Sequence, residues 1–207
     1  MRDFIIKFAQ TIGQILTAPM LILFLLSKNK EVIILDVNQW IKRLDYKNES
    51  SSDWVNLLYF LSMYPEFRNI YYHRIKQGDT IGFVLTQIFK ILYKQCPSLY
   101  IFSTNIGSGL FIQHGFSTVI SAESIGENCS VSQQVTIGYN TKGSPIIGNN
   151  VSIGAGAKVI GKITIDDNVK VGANAVVVKN VPKDCVVVGV PAYIVKKDGV
   201  KVKEQLV

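Results

Sequence analysis

Two periods of apolar residues divide this chain. Up to about residue 98, apolar positions recur every three or four residues, the spacing that lines one face of an α-helix. "VNQWIKRLDYK" (37–47), "SDWVNLLYFLSMYPEFRNIYYHRI" (52–75) and "TIGFVLTQIFKILYKQC" (80–96) all follow it. Ser52 and Asp53 stand where an N-cap would help, and the last pattern stops before Pro97. The aromatic stripe of Trp54, Tyr59, Phe60, Phe67, Tyr71 and Tyr72 predicts the core of a helical bundle. From about Ile101 the period becomes six.

Aliphatic residues then fall at Ile106, Ile112, Val119, Ile125, Val131 and Ile137, and again from Ile147 through Ile153, Val159, Ile165 and Val171 to Val177. A small or aliphatic residue follows most of them four places on, as at Cys129, Val135 and Ala157. Glycine directly follows several of them, for corners that need positive φ or close approach. This is the hexapeptide pattern of a left-handed parallel β-helix, in which each hexapeptide makes one flat side and three make a coil. The expectation is a mainly β protein with an α-helical N-terminal domain: residues 1–98 helical, 99–195 a left-handed parallel β-helix of about four coils, and 196–207 a C-terminal tail. The period breaks twice. The step from Ile112 to Val119 is seven, which bulges one residue beside His114. The step from Ile137 to Ile147 is ten, which loops out four residues around "YNTKGSP" (139–145). A loop leaving the coil wall predicts a site over a groove between adjacent subunits.

Composition narrows the function classes. Apolar residues make up 48% and charged residues 18%, as in a globular chain. Net charge is +7, but Lys and Arg are spread evenly over the two halves. With no dense basic block, nucleic acid is not an expected partner. Cys96, Cys129 and Cys185 lie far apart, so neither a zinc site nor a disulfide framework is indicated. "FAQTIGQILTAPMLILFLLS" (8–27) carries no charge and approaches the length of a membrane span, though Gln10, Gly13, Gln14 and Pro19 interrupt it. Three readings stay open for it: a helix buried in the fold, a segment on the inner membrane face, or a span. The expected location is cytoplasmic, with the inner face of the bacterial cytoplasmic membrane as its variant.

"IGAGAKVIG" (153–161) and "GVPAYIV" (189–195), with "FRNIYYHRI" (67–75) ahead of the β-helix, resemble the serine O-acetyltransferase branch of the hexapeptide acyltransferases. The likeness spans about residues 54–197. It implies a homotrimer, with two trimers stacked in some members of the branch, and acetyl-CoA as donor. It implies His114 as the general base that takes a hydroxyl proton, a role that imidazole suits near neutral pH. The pantetheine arm would lie along backbone at Gly138, Ala155 and Ala173. Lys158, Lys170 and Lys179 are candidates for the CoA phosphates, or a solvated rim. The N–H of Gly138 or Tyr139 would hold the oxyanion. His73 matches no catalytic position and reads as structural. Two histidines exclude a three-His metal site, so no metal is expected.

The departures from that branch bear on the acceptor. Its Asp fifteen residues before the base corresponds to about Leu99, and its Asp directly before the base to Gln113. Its Arg-His pair corresponds to Gly143-Ser144. Without those charges a neutral acceptor is the expectation: a sugar hydroxyl of a surface polysaccharide, as a glycan or lipid-linked glycan, met by Gln113, Ser117, Thr118, Asn140, Thr141 and Ser144. Serine O-acetylation for cysteine synthesis and a non-catalytic β-helix assembly subunit are the alternatives.

Overall fold

In the computed structural model, which describes residues 2–46, 52–78 and 80–206, the chain divides into two units, Met1–Cys96 and Pro97–Val207. The first is helical. The charge-free segment lies in α1 (Arg2–Thr17), one 3-10 turn (Ala18–Met20) and α2 (Leu21–Leu26). Pro19 accounts for the break, since its ring lacks an N–H and crowds the preceding turn. Helix α3 (Lys30–Leu44) ends at Asp45 in the left-handed region, φ 48°. The pattern over 52–75 becomes two helices, α4 (Asp53–Met63) and α5 (Pro65–Lys76), because Pro65 can open a helix but not continue one. Ser52 takes the N-cap position of α4 without a side-chain hydrogen bond. Helix α6 (Thr80–Leu92) completes the unit.

The aromatic stripe makes the core, with one exception. The Trp40 ring meets Phe60 and Phe67 edge-on at 5.8 and 5.1 Å. Tyr71 and Tyr72 are buried and donate their hydroxyls to the carbonyls of Met20 (2.7 Å) and Tyr93 (2.8 Å). Desolvation pushes the Tyr71 phenol far above its ordinary range. Trp54 departs from expectation: it is 43% exposed, its ring edge-on to Phe24 at 4.9 Å. One side of the N-terminal segment is core as well, for Met20, Leu23 and Phe24 are at most 4% exposed.

His73 lies on α5, its Nε2 3.1 Å from the Gln77 amide. Burial, then the Arg74 and Lys76 charges, lowers its pKa to about 4. Below about pH 6.5 the unfolded chain binds a proton there that the folded chain does not. The stabilisation is therefore complete above the unfolded pKa and is lost as pH falls toward 4. Melting at pH 7 and pH 5 should differ by a His73-dependent contribution of about 1–2 kcal/mol, and His73→Gln should remove that part of the slope.

The described residues of the second unit form sixteen short strands, β1–β16 in chain order, of which β1–β14 make the coil. Sheet A stacks β1 (Leu99–Ile101), β4 (Thr118–Ile120), β7 (Thr136–Gly138), β10 (Lys158–Ile160) and β13 (Val176–Val177). Sheet B stacks β2 (Asn105–Ile106), β5 (Ser124–Ile125), β8 (Ile146–Ile147) and β11 (Thr164–Ile165). Sheet C stacks β3 (Phe111–Gln113), β6 (Ser130–Ser132), β9 (Ser152–Ile153), β12 (Lys170–Val171) and β14 (Cys185–Val188). All these pairings are parallel. The solenoid therefore has about five coils; β1 and β14 extend the four that the rungs from Ile106 to Val177 indicate. The described part of the C-terminal tail, residues 196–206, packs here too. Strands β15 (Tyr193–Lys197) and β16 (Val200–Gln205) add antiparallel to β14, and Leu206 is buried.

The inward columns follow the period. Ile112, Val131, Ile153, Val171 and Val187 line one, each at most 3% exposed, and each contributes roughly 1.5–3 kcal/mol. Sheet A differs at one rung. Ile120, not Val119, aligns with Ile137, Val159 and Val177. Thr118 and Ile120 are fully buried, whereas Val119 lies on the outer face. Side chains alternate along a strand, so a slip of one residue exchanges the faces. The step at His114 is thus eight residues, followed by one of five to Ile125. The corner between sheets B and C is regular by contrast. It stacks Gly109, Asn128, Asn150, Asn168 and Asp184, all at positive φ, which Gly and Asn tolerate best.

Candidate functional site

The widened corner between sheets C and A presents His114. It follows β3 at φ +53°, and Ser117 shares that value. The His114 carbonyl accepts the Phe116 N–H at 2.6 Å, which closes a tight turn with the imidazole on the exposed side. The later coils turn this corner at Gln134, Gly156 and Asn174, also at positive φ. Hydrogen bonds join one level to the next: Gln134 N–H to Phe116 O (3.0 Å), Gly156 N–H to Gln133 O (2.9 Å) and Asn174 N–H to Ala155 O (2.8 Å).

This C–A edge gathers His114, Ser117, Ala155 and Ala173. Exposed Gln113, in β3, leads into it beside Ser132 of β6. Ala155 and Ala173 carry no side chain beyond Cβ, and a Cβ on Gly156 would strike Asn174. At Ala155 and Ala173 the backbone of this edge is therefore open to an extended amide-bearing arm such as pantetheine, while the Asn174 side chain covers Gly156. Lys158 opens β10 and donates to the Gln134 carbonyl at 2.6 Å, so it braces the corner. Lys170 lies exposed on sheet C. Thr118 is fully buried, its hydroxyl 3.2 Å from the Phe116 carbonyl, and presents nothing to a ligand.

The edge between sheets A and B gathers the rest. Gly138 ends β7, and Tyr139 stands 72% exposed. Asn140 and Gly143 exchange N–H···O bonds of 3.0 and 3.1 Å, which fold the looped-out residues into a compact turn. Asn140 Oδ1 accepts the Lys142 N–H at 2.8 Å, and the Asn140 amide lies over Gly161, φ +98°, where a Cβ would strike it. Asn140 is thus a brace of the loop. Thr141 is exposed and Ser144 partly so. Lys179 donates to the Leu206 carbonyl at 3.0 Å. Within one chain, sheet A separates His114 from this loop.

Two lysines at the A–B edge, Lys142 and Lys162, escape the sequence reading, and Glu123 stands with them. The Lys162 stem lies under Gly143, whose added Cβ would stand 3.4 Å from the Lys162 Cβ. Lys142 is exposed in the turn, and exposed Glu123 donates its N–H to the Pro145 carbonyl at 2.9 Å. Their one sequence signal is spacing, for Glu123 and Lys162 each lie about one coil from the loop. Among the described residues no three His, Cys, Asp or Glu side chains cluster as metal ligands.

The fold is the left-handed β-helix of hexapeptide-repeat acetyltransferases. The family model described as bacterial transferase hexapeptide (six repeats) matches residues 144–179. The serine acetyltransferase of Synechococcus elongatus is 36% identical over 160 residues, covering 71% of this chain and 64% of that protein. That of Staphylococcus aureus is 50% identical over 102 residues, 47% of this chain and 48% of that one. The crystal structure of the Neisseria gonorrhoeae serine acetyltransferase superposes with a TM-score of 0.63 at 27% identity, covering 84% of this chain and 68% of that chain. The chain thus spans from just under half to about two thirds of the length of these curated relatives. These relatives overturn the expectation of a polysaccharide acceptor, for they are named serine acetyltransferases. The physical reason lies in the loop. Loss of the charged pair at Gly143-Ser144 does not leave the edge neutral, because Lys142, Lys162 and Glu123 surround the same turn.

Proposed function

We propose that this chain is an acetyl-CoA-dependent serine O-acetyltransferase whose site forms between copies of a homotrimer. The 50% identity over 102 residues to the Staphylococcus aureus serine acetyltransferase is the observation that carries the reading. A closed ring of prisms would place the His114 edge of one copy against the loop edge of the next. The donor's pantetheine arm runs along Ala155 and Ala173, on the edge that holds His114. Serine lies under the loop, its carboxylate toward Lys162 and Lys142 and its ammonium toward Glu123.

Neutral His114 takes the serine hydroxyl proton as the oxygen attacks the thioester carbonyl. The C–O bond forms, and the N–H of Gly138 or Tyr139 holds the oxyanion. Collapse breaks the C–S bond, and the departing CoA thiolate takes the proton back from His114. Both substrates are bound at once, so no acyl-enzyme is needed.

Thiol release from acetyl-CoA with L-serine as acceptor tests the reading. Saturable turnover is expected, and none at any serine concentration would overturn it. Lys162→Ala should raise KM for serine about tenfold through loss of a charge-assisted contact, with kcat little changed. An equal fall in kcat at constant KM would remove Lys162 from the acceptor site.

A further inference from the structure

We propose that the helical unit docks on an anionic lipid surface through the exposed apolar faces of α1, α2 and α6. Along α1 and α2 the exposed residues are Phe8, Ile15, Leu16, Ile22, Leu25 and Leu26, each more than half exposed. Along α6 the stripe is Ile81, Val84, Ile88 and Ile91, at the spacing of one helix face and 52–73% exposed. Helix α2 packs beside α6, for Leu23 and Leu26 of α2 share a groove with Gly82 and Leu85 of α6.

Charge selects the occupant. No Asp or Glu occurs between Asp3 and Glu31, or between Asp79 and Glu123. Lys7, Lys28 and Lys30 flank the first stripe, and Lys90 and Lys94 the second; all but the half-buried Lys90 are exposed. A two-fold contact between two such faces would set these lysines against one another with no carboxylate in either stretch to answer them. Anionic headgroups answer all of them, each lysine near the surface contributing about 1 kcal/mol. The face lies on the membrane and does not span it. Met20, Leu23 and Phe24 are committed to the unit's own core, and Tyr71 ties its hydroxyl to the Met20 carbonyl at 2.7 Å. A helix with one side in a protein core and the other apolar lies in the interface plane.

The test is sedimentation of the full chain with vesicles of phosphatidylglycerol and phosphatidylcholine in about equal parts. Co-sedimentation should exceed that with phosphatidylcholine alone and should weaken as salt screens the lysines. The triple variant Val84→Ser, Ile88→Ser, Ile91→Ser should lose at least about tenfold in partitioning, with unchanged helical ellipticity. Lys28→Gln with Lys30→Gln should lose about tenfold or more on the anionic vesicles alone. No binding to anionic vesicles, or full binding by both variants, would overturn the proposal. So would sedimentation velocity without lipid if the serine variant dissociates an assembly that the parent forms, because a second copy would then cover the face.

Discussion

Replacing His114 with Asn is expected to lower kcat for serine acetylation by about 10²–10⁴-fold, the usual contribution of a positioned general base. The choice of Asn separates chemistry from folding. His114 sits at φ +53°, where Ala would add backbone strain and Asn is tolerated. The amide is of similar reach but cannot accept a proton from a hydroxyl near neutral pH. KM values for both substrates and the melting temperature should stay near those of the parent. A variant that retains more than about a tenth of kcat would show that another group takes the proton. A large rise in KM at constant kcat would make His114 a binding residue instead.

The β-helix was legible because its code is local and repeats. Each rung repeats an aliphatic residue every six positions, and a single strong column such as Ile112 to Val187 fixes the rest through stacking. The one rung misread, Val119 for Ile120, falls beside His114, where the chain leaves the repeat to build the site. A period cannot place a residue within an insertion, and two apolar neighbours leave either face open. The fifth coil was hidden for a related reason: β1 and β14 lie beyond the run that the pattern marks. In the helical half the 3.6 period located the core aromatics but not the break at Pro65. Nor did it show that Trp54 would stay at the surface.

The acceptor was misread through contacts between coils. Reading along the chain found Gly143-Ser144 where a charged pair is expected in the related branch and inferred a neutral pocket. The turn of the solenoid brings Lys162 under Gly143 and ties Glu123 to Pro145. Charge lost from one coil is thus present on its neighbours. The same logic limits what one copy can do. His114 and the loop stand on different edges, so the chemistry depends on how the prisms meet.

Asp36→Ala is expected to produce the largest loss of stability, about 3–5 kcal/mol. Nothing in the helical periodicity marks Asp36 or Arg74 as more than surface charges. Yet Asp36 is 1% and Arg74 2% exposed, and they pair bidentately, Nε to Oδ2 at 2.9 Å and an outer nitrogen to Oδ1 at 3.2 Å. The pair joins α3 to α5, 38 positions apart in sequence. Desolvating two ions consumes much of what their attraction returns, so the intact pair adds little net stability. The cost of breaking it comes from leaving the buried guanidinium without the Asp36 carboxylate. The helical unit's denaturation midpoint should therefore fall steeply in Asp36→Ala. In Asp36→Leu/Arg74→Met, which removes both charges and keeps most of the volume, it should recover at least half of the loss. If the double variant is as unstable as the single, the pair stabilises the helices by its own attraction, and the desolvation argument fails for this site.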